Sequence, residues 1–430
     1  MSDHVHDFVA IGLGPFNLGL ACLTDPVDDL DGVFLEAKTS FSWHPGMMLD
    51  GVHLQTPFMA DLVTMADPTS PFSFLAYAKE QGRLYAFYIR ENFYLLREEY
   101  VQYCRWAADR LRTIEWDRAV AEVVHEDGVY VVRSRDSSGR AHEHRGRRLV
   151  IGTGTPPHVP AAAEGLEGPV LHSSDYLHRA DELKALGSVT VVGSGQSAAE
   201  VYRDLLQDLP RHRYRLTWAT RSPRFFPLEY TKLTLEMTSP EYTDYFHALP
   251  PATRDELLES QKQLYKGIDG ELVDEIHELL YAAGLRGEPD TELLTNTELE
   301  SASWDGSAFT LGLRQVEQDV AYDLRTEGLV LATGHRWRRP DFVDGIADRL
   351  CFDDRGRFDV DRTYAVDRGR DEVFVQNAES HTHGLVAPDL GMASYRNSVI
   401  IARMLGREVY PVEKRIAFQQ FGAPARAVHA

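Results

Sequence analysis

Two glycine turns constrain what this chain can fold into more than any other feature. The first is Asp7-Phe-Val-Ala-Ile-Gly12-Leu-Gly14-Pro15-Phe-Asn17, and the second is Ser188-Val-Thr-Val-Val-Gly193-Ser194-Gly195-Gln196-Ser197-Ala198. In each, a short apolar run reads as a buried parallel strand. Two glycines then turn the chain, and small or apolar residues continue at helical spacing. This unit receives a dinucleotide pyrophosphate. Its first glycine permits the turn, and its second lets backbone approach phosphate. The helix N-terminus offers unpaired N–H groups at the positive end of its dipole. Two such units in 430 residues predict an α/β protein with two Rossmann-like dinucleotide-binding domains.

The residues around each turn separate the two nucleotides. In the first, Asn17 replaces the usual third glycine, and the next strand, Gly32-Val-Phe-Leu-Glu36, ends in a carboxylate. An acid there accepts ribose hydroxyls and suits FAD or NAD. In the second, Ala198 is a tolerated third position, and the strand from Tyr214 ends in Arg221, with Arg224 close by. A cation suits the 2′-phosphate of NADPH, which an acid would repel. One FAD-like and one NADPH-like site point to a flavin oxidoreductase in which the nicotinamide reduces the flavin. No Cys-x-x-Cys adjoins the second turn, so dithiol reductases fit poorly.

Two further strands, Arg148-Leu-Val-Ile and Gly328-Leu-Val-Leu, each run into a threonine–glycine turn, the second of them Ala332-Thr-Gly-His335. They read as crossings between domains. The expected layout is an FAD domain of residues 1–164 and 335–430, discontinuous around an NADPH domain of residues 165–334. A helical segment at about 241–285 covers the substrate site. The net charge of −21 argues against nucleic acid or anionic membranes, and is compatible with a cationic substrate. Cys22, Cys104 and Cys351 form neither a disulfide framework nor a zinc pattern. No apolar stretch approaches the roughly 20 residues that span a bilayer, and the start of the chain does not read as a signal peptide. Metal ligation is not expected, and a cytoplasmic location is.

More specific still is Phe41-Ser-Trp43-His44-Pro-Gly-Met47, continuing to Gln55-Thr-Pro-Phe-Met-Ala60-Asp61-Leu, with Arg97-Glu-Glu-Tyr100 beyond it. Together with both glycine turns, Ala332–His335, His381-Thr-His383-Gly384 and Tyr395-Arg-Asn-Ser398, it resembles the N-hydroxylating flavin monooxygenases of siderophore biosynthesis. These act on lysine, ornithine or diamines. The resemblance spans nearly the whole chain. It implies that NADPH reduces FAD and that flavin hydroperoxide chemistry with O2 oxidises a neutral amine nitrogen. No acid–base pair is then required. It also implies that Gly12, Gly14, Pro15, Asn17, Glu36, Trp43, His44, Gln55, Arg97 and His383 serve FAD. Gly193, Ser194, Gly195, Gln196, Ser197 and Arg221 would serve NADPH. Family members often form tetramers, so a homo-oligomer is expected.

Departures from the family bear on the amine. Ornithine-type members carry a lysine, paired with the substrate carboxylate, where this chain has Ala60. A buried carboxylate without a partner costs several kcal/mol, so an amino acid should bind poorly. Leu235 and Leu264 fall near positions that are polar in ornithine-type members. A diamine instead needs an acceptor for its second ammonium, for which Glu229, Glu236 and Asp389 are candidates. The segment Gly384–Met392 also resembles the diamine members. The expectation is a diamine (cadaverine or putrescine) N-monooxygenase. L-Lysine is the alternative, with Lys266 as a possible replacement cation. Flavin enzymes that oxidise carbon, sulfur or ketones, and a non-catalytic binding protein of this fold, are the remaining readings.

Overall fold

The structure is a computed structural model that describes residues 4–287 and 289–424. The outer ends of the expected domain limits, residues 1–3 and 425–430, lie outside the described residues.

The first parallel sheet is built from β1 (Phe8–Ile11), β2 (Gly32–Leu35), β3 (Ile114–Glu115), β4 (Leu149–Ile151) and β10 (Val373–Val375). Their order across the sheet is β10-β4-β1-β2-β3. The second contains β5 (Val170–His172), β6 (Ser188–Val192), β7 (Arg215–Ala219), β8 (Thr291–Leu294) and β9 (Gly328–Leu331), in the order β5-β9-β6-β7-β8. Every strand pairing in both sheets is parallel. Strands β1 and β9 are apolar along their whole length, as expected of parallel strands buried on both faces.

The two sheets repeat one topological device. From β1 the chain moves outward to β2 and β3, then returns on the other side as β4. From β6 it moves to β7 and β8, then returns as β9. The crevice beside the central strand of each sheet is therefore the switch point where ligands bind at the strand ends. Both glycine turns sit there. A Cβ on Gly12 would lie 2.7 Å from the Gly152 carbonyl oxygen after β4, and one on Gly193 would lie 2.2 Å from the Ala332 oxygen after β9.

Helix α1 (Pro15–Thr24) starts with proline at its first turn, where no backbone N–H is needed. Helix α2 (Gln196–His212) starts directly after Gly195. Helices α3 (Pro240–Ala248), α4 (Pro251–Ser260) and α5 (Gly270–Gly284) occupy the expected helical segment. Ser239 and Asp269 cap α3 and α5 by accepting the Tyr242 and Leu272 N–H groups. Tyr242 and Phe246 pack with Leu385, Val386 and Met392 from the stretch before α6 (Ala393–Leu405). The C-terminal tail crosses this subdomain, where Glu241 accepts the Ile416 and Ala417 N–H groups and Glu236 accepts those of Phe418 and Gln419.

The two sheets are tied together between β2 and α2. Met47, Leu49 and Val52, in the chain after β2, join the core that surrounds β6 and α2. Cys22 and Cys104 are buried free thiols, and Cys351 is also unpaired. No helix among the described residues is long and apolar enough to cross a membrane.

Candidate active site

The C-terminal ends of β1 and β6 open onto two cavities of about 450 and 530 Å³. Gln55, Gln196, Ser197, Tyr265 and His335 line both, so the cavities form one divided cleft. Gln55 Nε2 donates to the Gln196 side-chain oxygen and to the Gly267 carbonyl, each at 3.3 Å. The divider is therefore a hydrogen-bonded seam between the two halves of the protein.

The larger cavity wraps the N-terminus of α2. Gly193, Ser194, Gly195, Gln196 and Ser197 line it, as the sequence led one to expect. Arg221 stands on its wall, with a side chain 71% exposed and only a loose 3.9 Å pairing to Glu298. A free guanidinium beside a helix N-terminus fits a nucleotide phosphate. Arg224 instead stacks over Phe226. Lys266 also lines this cavity, with its ammonium over the Tyr265 ring.

The smaller cavity is lined by Pro15, Phe16, Trp43, His44, Gln55 and Arg97, among others. Gly12, Gly14 and Glu36 lie outside this lining, along the adjoining strand ends. A Cβ on Gly14 would meet nothing within 4 Å, which leaves space over the turn for a pyrophosphate. Glu36 is buried, and its two oxygens each accept one backbone N–H, from Leu13 at 2.7 Å and Lys38 at 3.0 Å. A carboxylate has about four lone-pair sites, so acceptor capacity remains for ribose. Thr56, also in this lining, carries a buried hydroxyl with no hydrogen-bond partner. These residues fit a flavin dinucleotide, as those around Arg221 fit NADPH.

His44 faces the cavity from a left-handed backbone position, φ +47°. Its ring approaches His335, which in turn packs against His172. Burial, reinforced by His335, Arg97 and Lys38, holds the His44 imidazole down at about 4. It is therefore neutral throughout the physiological range. Its proton count differs from that of an ordinary histidine only between about pH 4 and 6.5.

Several expected site residues sit elsewhere. Asn17 is fully buried and turned into the protein. Its amide donates to the Gly12 carbonyl at 2.7 Å, and its oxygen accepts from Gln376. It shapes the turn rather than facing the ligand. His383 is fully buried and stacked on Tyr364, away from the cavity walls. Leu235 is exposed at the end of a short helix, and Glu236 is spent on the C-terminal tail. The Glu229 carboxylate accepts the Thr231 N–H at 2.9 Å and lines neither cavity. Arg97 does line the flavin-side cavity, but its guanidinium is committed. Glu200 takes it in two bonds of 2.7 and 3.0 Å, and the Met47 carbonyl takes a third at 2.7 Å. Sequence reasoning missed Glu200 because its partner is 103 positions away. It also left Tyr265 and His335 out of the site, although His335 closes a motif that was visible.

Leu264 and Asp389 line the smaller cavity. Ala60 lies just behind: its Cβ is 3.9 Å from where a Cβ on Gly391 would stand, and the Gly391 N–H donates to Asp389 at 2.6 Å. Burial pushes the Asp389 carboxyl up, against the opposing pull of the Gly391 and Met392 N–H groups and of Arg396.

Comparison with known proteins identifies the family. Residues 4–337 match the family model described as L-lysine 6-monooxygenase/L-ornithine 5-monooxygenase. A putrescine N-hydroxylase of Shewanella oneidensis is 49% identical, over 99% of this chain and 86% of its own. An alcaligin biosynthesis enzyme of Bordetella pertussis is 45% identical, over 100% and 94%. The crystal structure of a cadaverine monooxygenase of desferrioxamine biosynthesis from Erwinia amylovora, bound to FAD, superposes with a TM-score of 0.96 at 56% identity, over 98% and 100%. Two joined nucleotide clefts and a match along nearly the entire chain have one explanation: the protein belongs to the lysine/ornithine N-monooxygenase family of FAD- and NADPH-dependent enzymes.

Proposed function

We propose that the chain hydroxylates one amine of an aliphatic diamine, cadaverine or putrescine, in hydroxamate siderophore biosynthesis. One observation carries the substrate choice. The Asp389 carboxyl lines the flavin-side cavity next to Ala60, where the resemblance implies that ornithine-type members place a cation. A distal ammonium gains a partner there, and an amino-acid carboxylate would meet repulsion. Lys266, which kept lysine in contention, lines the other cavity. The identities of the putrescine and cadaverine relatives support the same choice.

In this assignment residues 1–164 and 335–430 bind FAD, and residues 165–334 bind NADPH. Gly12, Gly14, Pro15 and Glu36 hold the flavin nucleotide, with Trp43, His44 and Gln55 along its reacting end. The α2 N-terminus and Arg221 hold NADPH. When bound, FAD with NADPH and O2 supplies an electrophilic oxygen atom. The chain's own work is to fix the amine, keep water out and accept no competing proton. Asp389 anchors the far ammonium. Neutral His44 and His335 leave the reacting end free of a second positive charge, which favours the uncharged amine. The free thiols support a cytoplasmic location, and family resemblance supports a homo-oligomer, a tetramer.

Turnover of cadaverine, putrescine, L-lysine and L-ornithine at matched concentration, with hydroxylamine detected, tests the assignment. Both diamines should exceed both amino acids. Lysine turnover at or above the diamines would defeat it.

Two further outcomes are expected. Hydroxylamine formation should rise from about pH 6 to 9, because an alkylammonium with a pKa near 10.4 must lose its proton before attack. A flat yield across that range would exclude substrate deprotonation as limiting. Ala60→Lys should lower diamine kcat/KM about 10-fold or more, since the added ammonium competes for Asp389 and repels the substrate. Unchanged kinetics would put position 60 outside the amine's field.

A further inference from the structure

Arg396 lines no part of the cleft, yet its guanidinium reaches segments that do. It lies on α6 and is 1% exposed. Nη2 donates to the Ala387 carbonyl at 2.6 Å, two residues before Asp389. Its Cζ stands 4.7 Å from the centroid of Phe16, which lines the cleft at the start of α1. Nε lies 3.1 Å from Glu379, itself fully buried and accepting the Ala378 N–H at 2.7 Å. The neighbouring Asn397 donates to the Phe16 carbonyl at 3.1 Å.

A buried ion pair adds little net stability over apolar side chains of the same volume. Here one hydrogen bond, from Nη2, fixes the Ala387 carbonyl, while the Glu379 charge and the Phe16 ring hold the guanidinium in place. Arg396 thus joins the flavin-side turn to the segment that carries Asp389. Four- and five-carbon diamines differ by one methylene, a difference a pocket resolves by about 10- to 200-fold. To do so, its two ends must hold their separation to within about 0.5 Å.

We propose that Arg396, through Ala387, Glu379 and Phe16, is a positioning residue that fixes Asp389 relative to the start of α1, on which the flavin nucleotide seats, and so selects diamine chain length. This rests on Asp389 being the acceptor of the distal ammonium.

The test compares Arg396→Lys and Glu379→Gln with the unaltered holoenzyme. It measures kcat and KM for putrescine and cadaverine, and inhibition constants for butylamine and pentylamine, which lack the distal ammonium. In Arg396→Lys, KM for the preferred diamine should rise about 10-fold, with kcat changing much less. The putrescine-to-cadaverine ratio of kcat/KM should move toward one. FAD content and both monoamine constants should stay within about twofold. Glu379→Gln keeps the bond to Ala387 and should shift the ratio the same way by less. It carries the test alone if the arginine variant does not fold. An unchanged chain-length ratio overturns the proposal. So does a monoamine constant that rises in step with the diamine KM, because Arg396 then only supports the fold. Asp389→Asn in the same panel separates the two levels. If that variant leaves diamine kinetics intact, Asp389 is not the acceptor. If it raises KM while Arg396→Lys does not, only the positioning role fails.

Discussion

Asp389→Asn should lower kcat/KM for cadaverine and putrescine about 100- to 1,000-fold, chiefly through KM, with FAD content and NADPH affinity unchanged. The substitution keeps the shape of the side chain and removes its charge. Truncating one partner of a desolvated charge pair costs about 2–5 kcal/mol, and each 1.4 kcal/mol is tenfold. Pentylamine has no second ammonium and should bind the variant as well as it binds the parent. Linkage adds a second readout. Burial holds the Asp389 carboxyl above its ordinary value. Its contribution to stability is therefore present at low pH, where the acid is neutral, and is lost as pH rises through the raised value. An ammonium bound beside it reverses that loss. Cadaverine should raise Tm more above the raised value than below it, and Asp389→Asn should erase the difference. Diamine kcat/KM within threefold of the parent would remove Asp389 from substrate recognition.

What could be read in the amino-acid order follows the range over which each feature is determined. The turns at Gly12 and Gly193 were legible because a strand, a tight turn and a helix are local, and the positions of Glu36 and Arg221 follow from the length of one βαβ unit. Asn17 was seen to depart from the glycine pattern, but its role was hidden. Its oxygen is satisfied by Gln376, 359 positions away, which no local pattern reports. Arg97 and Glu200 illustrate the same limit. Each looks like a surface charge in its own helix, and only the packing of α2 against the chain after β2 makes them partners. Leu235 and Glu236 lie away from both cavities for another reason. The stretch between β7 and β8 is helical, and its placement is set by tertiary contacts, including a C-terminal tail that occupies Glu236. Asp389 was one of three acidic candidates. Only the folded chain separates them: Asp389 lines a cavity, while Glu229 and Glu236 line neither and Glu236 is taken up by the C-terminal tail.

A loss of comparable size should come from a single methyl group at Gly12. Its φ of +86° disfavours any side chain by about 1–2 kcal/mol. An added Cβ would also stand 2.7 Å from the Gly152 oxygen and 3.1 Å from the Thr153 Cα. Both are backbone at the end of β4, so relief requires β1 and β4 to part at the switch point. The Gly12 N–H bond to Leu35 and the Asn17 bond to the Gly12 carbonyl would be disturbed with them. Gly12→Ala should therefore emerge colourless, with FAD affinity lowered at least ~100-fold, or about 3 kcal/mol, and a lower Tm even for apoprotein. Gly14→Ala separates the two causes. Gly14 has a φ of −79°, and a Cβ there would meet nothing within 4 Å. The apoprotein should keep its Tm, yet FAD should still be lost, because the methyl fills the space through which the pyrophosphate passes. A yellow Gly14→Ala protein with unaltered FAD affinity would mean that the dinucleotide does not cross this turn.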